Sequence, residues 1–198
     1  MQAIIGAVFF GLASYVGILL AGTVTASPFE DGPDCVEPPV PWIVAGAAVI
    51  GGLLVARIAG PQNIVIEAIV ICALSAVWCT DARYGIVPDA FTLIPLAIVL
   101  GIAFFEKQTW PIISSAIAFV PFAGLAVVSK GRGMGWGDVK LAALGGAVLG
   151  GETALAAFAA GSVIAVLHAY ARGRESRVIA FAPYLAGAIA FALPLAAP

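Results

Sequence analysis

The chain is 198 residues long, 62% hydrophobic and 10% charged, with a mean hydropathy of +1.10 and a formal net charge of -2. A soluble domain is about half apolar and a quarter charged, so this composition excludes a water-soluble globular protein and indicates a lipid bilayer as the surroundings. The charge is too sparse and too balanced for a nucleic-acid partner, and Cys35, Cys72 and Cys79 form neither a C-x-x-C pair nor a Cys/His cluster at metal spacing, so no metal, cofactor or disulfide framework is expected.

Apolar runs of about 17–25 residues are long enough to span a membrane. They fall at 2–22, 41–59, 63–80, 88–105, 110–129, 153–171 and 179–196. The first has no Lys or Arg ahead of it, so it lacks the n-region of a signal peptide and is expected to stay as a helix. The loop 23–40 holds Glu30, Asp31, Asp34 and Glu37 with Pro28, Pro33, Pro38 and Pro39 and no base, a composition that predicts irregular structure. In the third run Cys72 and Cys79 share one face as small packing residues, and Glu67 lies near the outer end as a packed or snorkelling acid. A shorter apolar stretch, 138–150, begins at Asp138 and ends in Gly150-Gly151. It reads as a further helix, or as a half-helix with its ends covered by protein, and Gly146-x-x-x-Gly150 within it has a close-packing spacing. The predicted fold is all-α, a polytopic membrane helix bundle of about eight transmembrane helices.

Basic residues set the orientation. With the third helix ending in the cytoplasm, Arg83, Lys130, Arg132, Lys140, Arg172, Arg174 and Arg177 all lie on the cytoplasmic side, and only Arg57 and Lys107 lie opposite. Both termini are then outside the cytoplasm, and loop 23–40 is cytoplasmic. Asp81 and Asp138 fall at the same end of the bundle.

Carboxylates at the ends of membrane helices are costly, and two on one side point to function. Asp81 closes the third helix, where the helix dipole disfavours an anion. Asp138 follows Gly131-Arg132-Gly133-Met134-Gly135-Trp136-Gly137, and its plainest structural role is a helix cap. Alternating glycines let another backbone approach closely. A phosphate loop is excluded, because no Gly-Lys-Ser/Thr follows and no strand precedes. Two carboxylates that share a water molecule supply the acid and the base of amide hydrolysis, and their proximity separates the two titrations. Asp89, after Pro88, reads as a helix cap; Lys140 reads as a charge biasing Asp138 or binding an acidic substrate residue; and His168 reads as an interfacial histidine without a companion ligand.

These residues carry a resemblance. Gly135-Trp136-Gly137-Asp138 resembles the GxGD signature of intramembrane aspartyl proteases, and Gly133 to Leu141 resembles its type IV prepilin peptidase version. Asp81-x-x-x-Gly85-Ile86-Val87-Pro88-Asp89 resembles that family's first aspartate and the turn after it. Ala180-Phe181-Ala182-Pro183-Tyr184-Leu185 resembles a phenylalanine-x-proline stretch in the last helix, where Pro183 is expected to kink the helix and shape a substrate groove.

The resemblance implies a multi-pass inner-membrane aspartic endopeptidase with Asp81 and Asp138 as catalytic residues. Gly135, Gly137, Lys140, Pro88, Asp89 and Pro183 would shape the site or bind substrate. Its substrates would be type IV prepilins or pseudopilins, cut at the cytoplasmic face after a glycine and before an apolar segment, in the service of a type IV pilus or protein secretion. The catalytic six-helix unit would span 61–198, with two additional helices and the acidic loop in 1–60. Members with a second activity carry paired C-x-x-C motifs in a cytoplasmic insertion and methylate the new N-terminus. Here 23–40 stands in that place with one cysteine, so cleavage without N-methylation is expected. The competing readings are a small transporter or channel using the two acids for protons or a cation, which calls for acids at the bilayer midplane and internal repeats, and a catalytically inactive assembly factor.

Overall fold

The structure, a computed structural model, describes residues 2–24, 37–55, 61–130, 134–171 and 180–196; of residues 61–63 it describes the backbone. Among the described residues there are eight α-helices and no strand: α1 Gln2–Ala21, α2 Val40–Val55, α3 Pro61–Tyr84, α4 Asp89–Phe105, α5 Trp110–Val128, α6 Trp136–Leu149, α7 Gly151–Ala171 and α8 Ala182–Ala192, the last followed by a 3-10 turn, Leu193–Leu195. The all-α bundle is as the composition predicts. Arg57, Arg132, Arg172, Arg174, Arg177, Gly131, Gly133 and most of the acidic loop, Cys35 included, lie outside the described residues.

Among the described residues, four helices are long and apolar enough to cross a membrane: Gln2–Ala21, Ile64–Tyr84, Trp110–Val128 and Gly151–Ala171. Their outward faces are apolar, as a lipid-facing surface requires. On α1, Ile4, Val8, Leu12 and Val16 are exposed; on α7, Val163, Val166 and Leu167 are. With no water-driven collapse between helices in lipid, close packing and buried hydrogen bonds hold such a bundle together. At α1–α3 both are visible: Ser14 and Ser75 share a 2.8 Å hydrogen bond, and Gly17 lies so close to α3 that a Cβ there would stand 2.0 Å from the Cys72 carbonyl oxygen.

α6 is the centre of the fold. It packs against α4, α5, α7 and α8, and nine of its 14 residues are buried. Its 14 residues make a rod of about 21 Å, short of a hydrocarbon core of about 30 Å. Protein on its flanks makes such a short helix tolerable, because no backbone group at membrane depth has to face lipid. Small residues give the neighbours their access. A Cβ on Gly146 would lie 2.5 Å from the Ser114 carbonyl oxygen and 2.6 Å from the Ala118 Cβ, and one on Gly145 would lie 2.6 Å from the Phe158 ring. Gly150 has a different part from its partner in the Gly146-x-x-x-Gly150 spacing: at φ 81 it ends α6 and lets α7 begin at the next residue.

Three boundaries differ from expectation. α3 runs on through Asp81 to Tyr84, because hydropathy marks where apolar residues stop and not where backbone hydrogen bonding stops. Gly85, at φ 64, ends it by donating its N–H to the Asp81 carbonyl at 2.8 Å, a left-handed C-cap. α8 begins at Ala182, which puts Pro183 in the first turn, where a missing N–H costs nothing. The proline therefore starts the helix and does not kink it. Pro88, not Asp89, is the N-cap of α4, and Asp89 is its first helical residue with its side chain engaged elsewhere.

The α5–α6 contact should not accept a larger side chain. Gly146→Leu is expected to lose roughly 1–3 kcal/mol, the usual cost of overpacking, seen as earlier thermal unfolding in detergent. Gly101→Leu, where a Cβ meets nothing within 4 Å, should unfold with the wild type.

Candidate functional site

Two helix ends, one turn and the start of a third helix converge at one end of the bundle. Asp81 projects from the last turn of α3, and the residue is buried, 6% exposed. Its Oδ2 accepts the backbone N–H of Ala182, the first residue of α8, at 3.1 Å. The C-terminal dipole of α3 disfavours an anion here, and the N-terminus of α8 offsets it with a donor and a positive dipole end.

Asp138 stands in the first turn of α6. Gly135 is the N-cap, and Asp138, three residues on, turns back so that its Oδ2 accepts the Gly135 N–H at 3.3 Å. The simple N-cap role is therefore filled by another residue. Asp138 makes the reach-back half of a capping box, and with glycine at the cap there is no side chain to return the bond. Both carboxyls thus sit at helix N-termini, Asp81 at that of a neighbour and Asp138 at its own. α4 and α8 both pack against α3 and against α6, and so bring the two acids to the same place.

The glycine before Asp138 has a steric reason. A Cβ on Gly137 would fall 2.6 Å from the Val87 Cβ, so glycine lets α6 nest against the turn that follows Asp81. Gly135, exposed, leaves Asp138 Oδ2 uncrowded at 3.5 Å from where its own Cβ would be. Lys140, one residue beyond Val139, turns away from Asp138 and binds Asp89 Oδ1 at 2.5 Å, which ties the start of α4 to the first turn of α6. Pro88 and Pro183 both serve as helix-start residues around the acids, Pro88 capping α4 and Pro183 in the first turn of α8.

A sequence profile of the type IV leader peptidase family matches residues 68–170, just over half of the chain. The chain belongs to this family. No curated relative and no solved structure matches it. Membership makes it a leader peptidase-like protease of the membrane, with prepilin-type substrates as the general class. The matched stretch contains both aspartates, Lys140 and Asp89, and it stops short of Ala182 and Pro183.

Several contacts of this peptidase were not among the sequence expectations. The Ala182–Asp81 bond joins residues 101 apart, and its one local signal is Pro183, which marks a helix start and hence a free N–H just before it. The Lys140–Asp89 pair had no signal beyond opposite charge. His168 is not solitary: its Nδ1 hydrogen-bonds the Tyr184 hydroxyl, linking the last turns of α7 to the first turn of α8 beside Ala182. Among the described residues no three His, Cys, Asp or Glu side chains gather as a metal site would require.

The Asp89–Lys140 pair gives a stability test. Asp89 is 63% exposed and Lys140 27%, so solvent screens the pair and its net worth is about 0.2–1 kcal/mol. In a double-mutant cycle, Asp89→Asn and Lys140→Gln should each lower the melting temperature slightly, and the double variant should lose less than the two losses added together. Additive losses would mean that the ion pair contributes nothing.

Proposed function

We propose that this leader peptidase is an aspartic endopeptidase whose catalytic pair is Asp81 and Asp138. What carries the reading is the convergence of the two acids at one end of the bundle, Asp81 in the last turn of α3 and Asp138 in the first turn of α6, which nests through Gly137 on the turn that follows Asp81. A water molecule between them is activated by the ionised member, which takes its proton. The protonated member hydrogen-bonds the scissile carbonyl and stabilises the oxygen as the tetrahedral intermediate forms. The proton taken from water then passes to the departing amine. Each acid is oriented by one backbone donor, Ala182 N–H for Asp81 and Gly135 N–H for Asp138, which fixes the pair while leaving its other oxygens to water and substrate. Gly137 lets the start of α6 nest against Val87, Lys140 and Asp89 tie α4 to α6, and Pro88 caps α4.

The substrates in this reading are type IV prepilins or pseudopilins, cut at the cytoplasmic face of the inner membrane. Residues 61–198 form the catalytic unit, and the family match at 68–170 lies within it. Arg83, Lys130 and Lys140 stand at the aspartate end and Lys107 at the other, a distribution that supports a cytoplasmic location for the aspartates. The single cysteine of loop 23–40 supports cleavage without N-methylation and without a metal. A transporter is less well supported, because both acids lie in terminal helix turns and not at mid-helix.

The decisive experiment replaces each acid by its amide. Asp81→Asn and Asp138→Asn should each lower processing of a prepilin by several orders of magnitude, and the double variant should add little, because the pair acts as one unit. Mass spectrometry of the wild-type product should show the leader removed and the new N-terminus unmethylated. Near wild-type processing by either correctly inserted single variant would end the two-aspartate reading.

Orientation has its own test. With the native cysteines replaced by alanine, an impermeant thiol reagent added to intact cells should label Lys107→Cys and spare Lys130→Cys, both positions being exposed. The reverse pattern would move the site to the outer face.

A further inference from the structure

A cleft of about 260 Å³ opens between α2, α3 and α8. Its floor is apolar and buried, with Ile71 and Leu74 on α3 and Ala186 on α8, while Trp42, Gly46 and Phe191 at its rim are exposed towards the lipid side. Two of its walls run to the aspartate. On α3, Ile71, Leu74, Trp78 and Asp81 follow one another at spacings of three, four and three, which keeps them on one face of a helix. On α8, Ala190 and Ala186 lie four apart and lead to Ala182, four further on, whose N–H holds the Asp81 carboxyl. The cleft therefore begins one turn below Asp81 and continues to about 15 Å from it along α3.

We propose that this cleft seats the apolar helical segment of the substrate on the membrane side of the bond that is cut. The proposal rests on the peptidase reading and names the surface that brings the bond to Asp81. A peptide chain that reaches a carboxyl in the last turn of a membrane helix continues on one side into the bilayer. Backbone at that depth must satisfy its own hydrogen bonds, so the segment there is an α-helix. The cleft suits such an occupant, being apolar apart from the indole N–H groups of Trp42 and Trp78 and one hydroxyl: Ser75 donates to the Ile71 carbonyl at 2.8 Å and accepts from Ser14. Gly46, Ala47, Ala186, Gly187 and Ala190 are small, as helix–helix interfaces in membranes are. At 260 Å³ the space lies below the roughly 300–1,000 Å³ of a small-molecule pocket, a size for a few aliphatic side chains from one face of a helix. Gly46 is the point of access, since a Cβ there would meet nothing within 4 Å.

The test fills the cleft at that glycine. A prepilin with its leader and full apolar segment is compared with a shortened peptide that ends a few residues beyond the cut. In Gly46→Leu the ratio of kcat/KM for the full substrate to that for the short peptide should fall at least tenfold, mainly through KM. Gly124→Leu, which adds the same side chain to an open, exposed position on α5, should leave the ratio unchanged. A photoreactive side chain at position 46 should crosslink to the apolar segment of the full substrate. An unchanged ratio in Gly46→Leu, or crosslinking to lipid alone, overturns the proposal and makes the cleft an acyl-chain site. A wild-type protein that cuts neither substrate overturns the peptidase reading instead, and this inference with it.

Discussion

A carboxyl buried near the end of a membrane helix needs a partner from protein, and Asp81 has one in the Ala182 N–H. Much of the fold is arranged around that single bond. α8 must begin at residue 182 for the N–H to be free of its own helix, and Pro183 in the first turn makes that beginning sharp. α8 must also lie close to α3 over its first turns. Gly187 provides for this, since a Cβ there would come within 3.1 Å of the Trp78 ring. The buried face of α8, with Leu185, Ala186 and Ile189, keeps the helix in the core, so the donor is held by packing and not by the carboxyl alone. Losing the donor would leave a buried polar group unsatisfied, an outcome costlier than the net gain of an ordinary hydrogen bond.

The second acid is placed by different means. α6 reaches Asp138 into position as a short helix surrounded by others, with glycines where neighbours press closest. Its N-terminal turn is fixed twice, by Gly137 nesting on Val87 in the turn before α4 and by Lys140 on Asp89 at the start of α4. The two fixings differ in kind. The Val87 contact is steric and admits no side chain at 137, whereas the ion pair is partly solvated and weak in energy. The register of α6 against the turn after Asp81 therefore depends mainly on the missing Cβ, and the ion pair adds direction to a contact that already exists. This gives the glycine before the second aspartate a geometric role in addition to any backbone access for substrate.

The all-α bundle was legible because hydropathy alone demands it: runs such as 110–129 and 153–171 are too long and too apolar for anything but membrane helices, and α5 and α7 fall on them within two residues. Asp81 and Asp138 stood out as candidates because charge is rare in such a chain. Helix ends were less so. Polar residues at a membrane surface continue a helix as readily as they stop it, and so α3 ran past Asp81 to the glycine that could take a positive φ. Pro183 illustrates the same limit. A proline in an apolar run reads equally as a kink or as a beginning, and only the position of the preceding residues decides. The Ala182–Asp81 and Lys140–Asp89 contacts were invisible for another reason. They join distant elements, and one of them uses a backbone N–H that every residue but proline owns.

The first two helices take on more than anchoring. α1 is set against α3 by a glycine at a carbonyl and by a serine pair one turn away, so the helix that carries Asp81 is backed along its inner half by protein. α2 in turn packs on α1 through Gly51, where a Cβ would stand 2.3 Å from the Phe10 Cβ. That close contact fixes which face of α2 looks towards α3 and α8, namely the face with Ile43 and Ala47 buried and Gly46 beside them at the rim. The residues before the family match therefore supply one wall of the cleft that leads to the aspartate. The two acids are carried by the matched helices, but the donor that holds Asp81 comes from α8 and one wall of the cleft below it from α2, both outside the match. Difference in substrate between proteins with similar aspartate motifs is then expected to arise in helices such as these, outside the region that the motifs define.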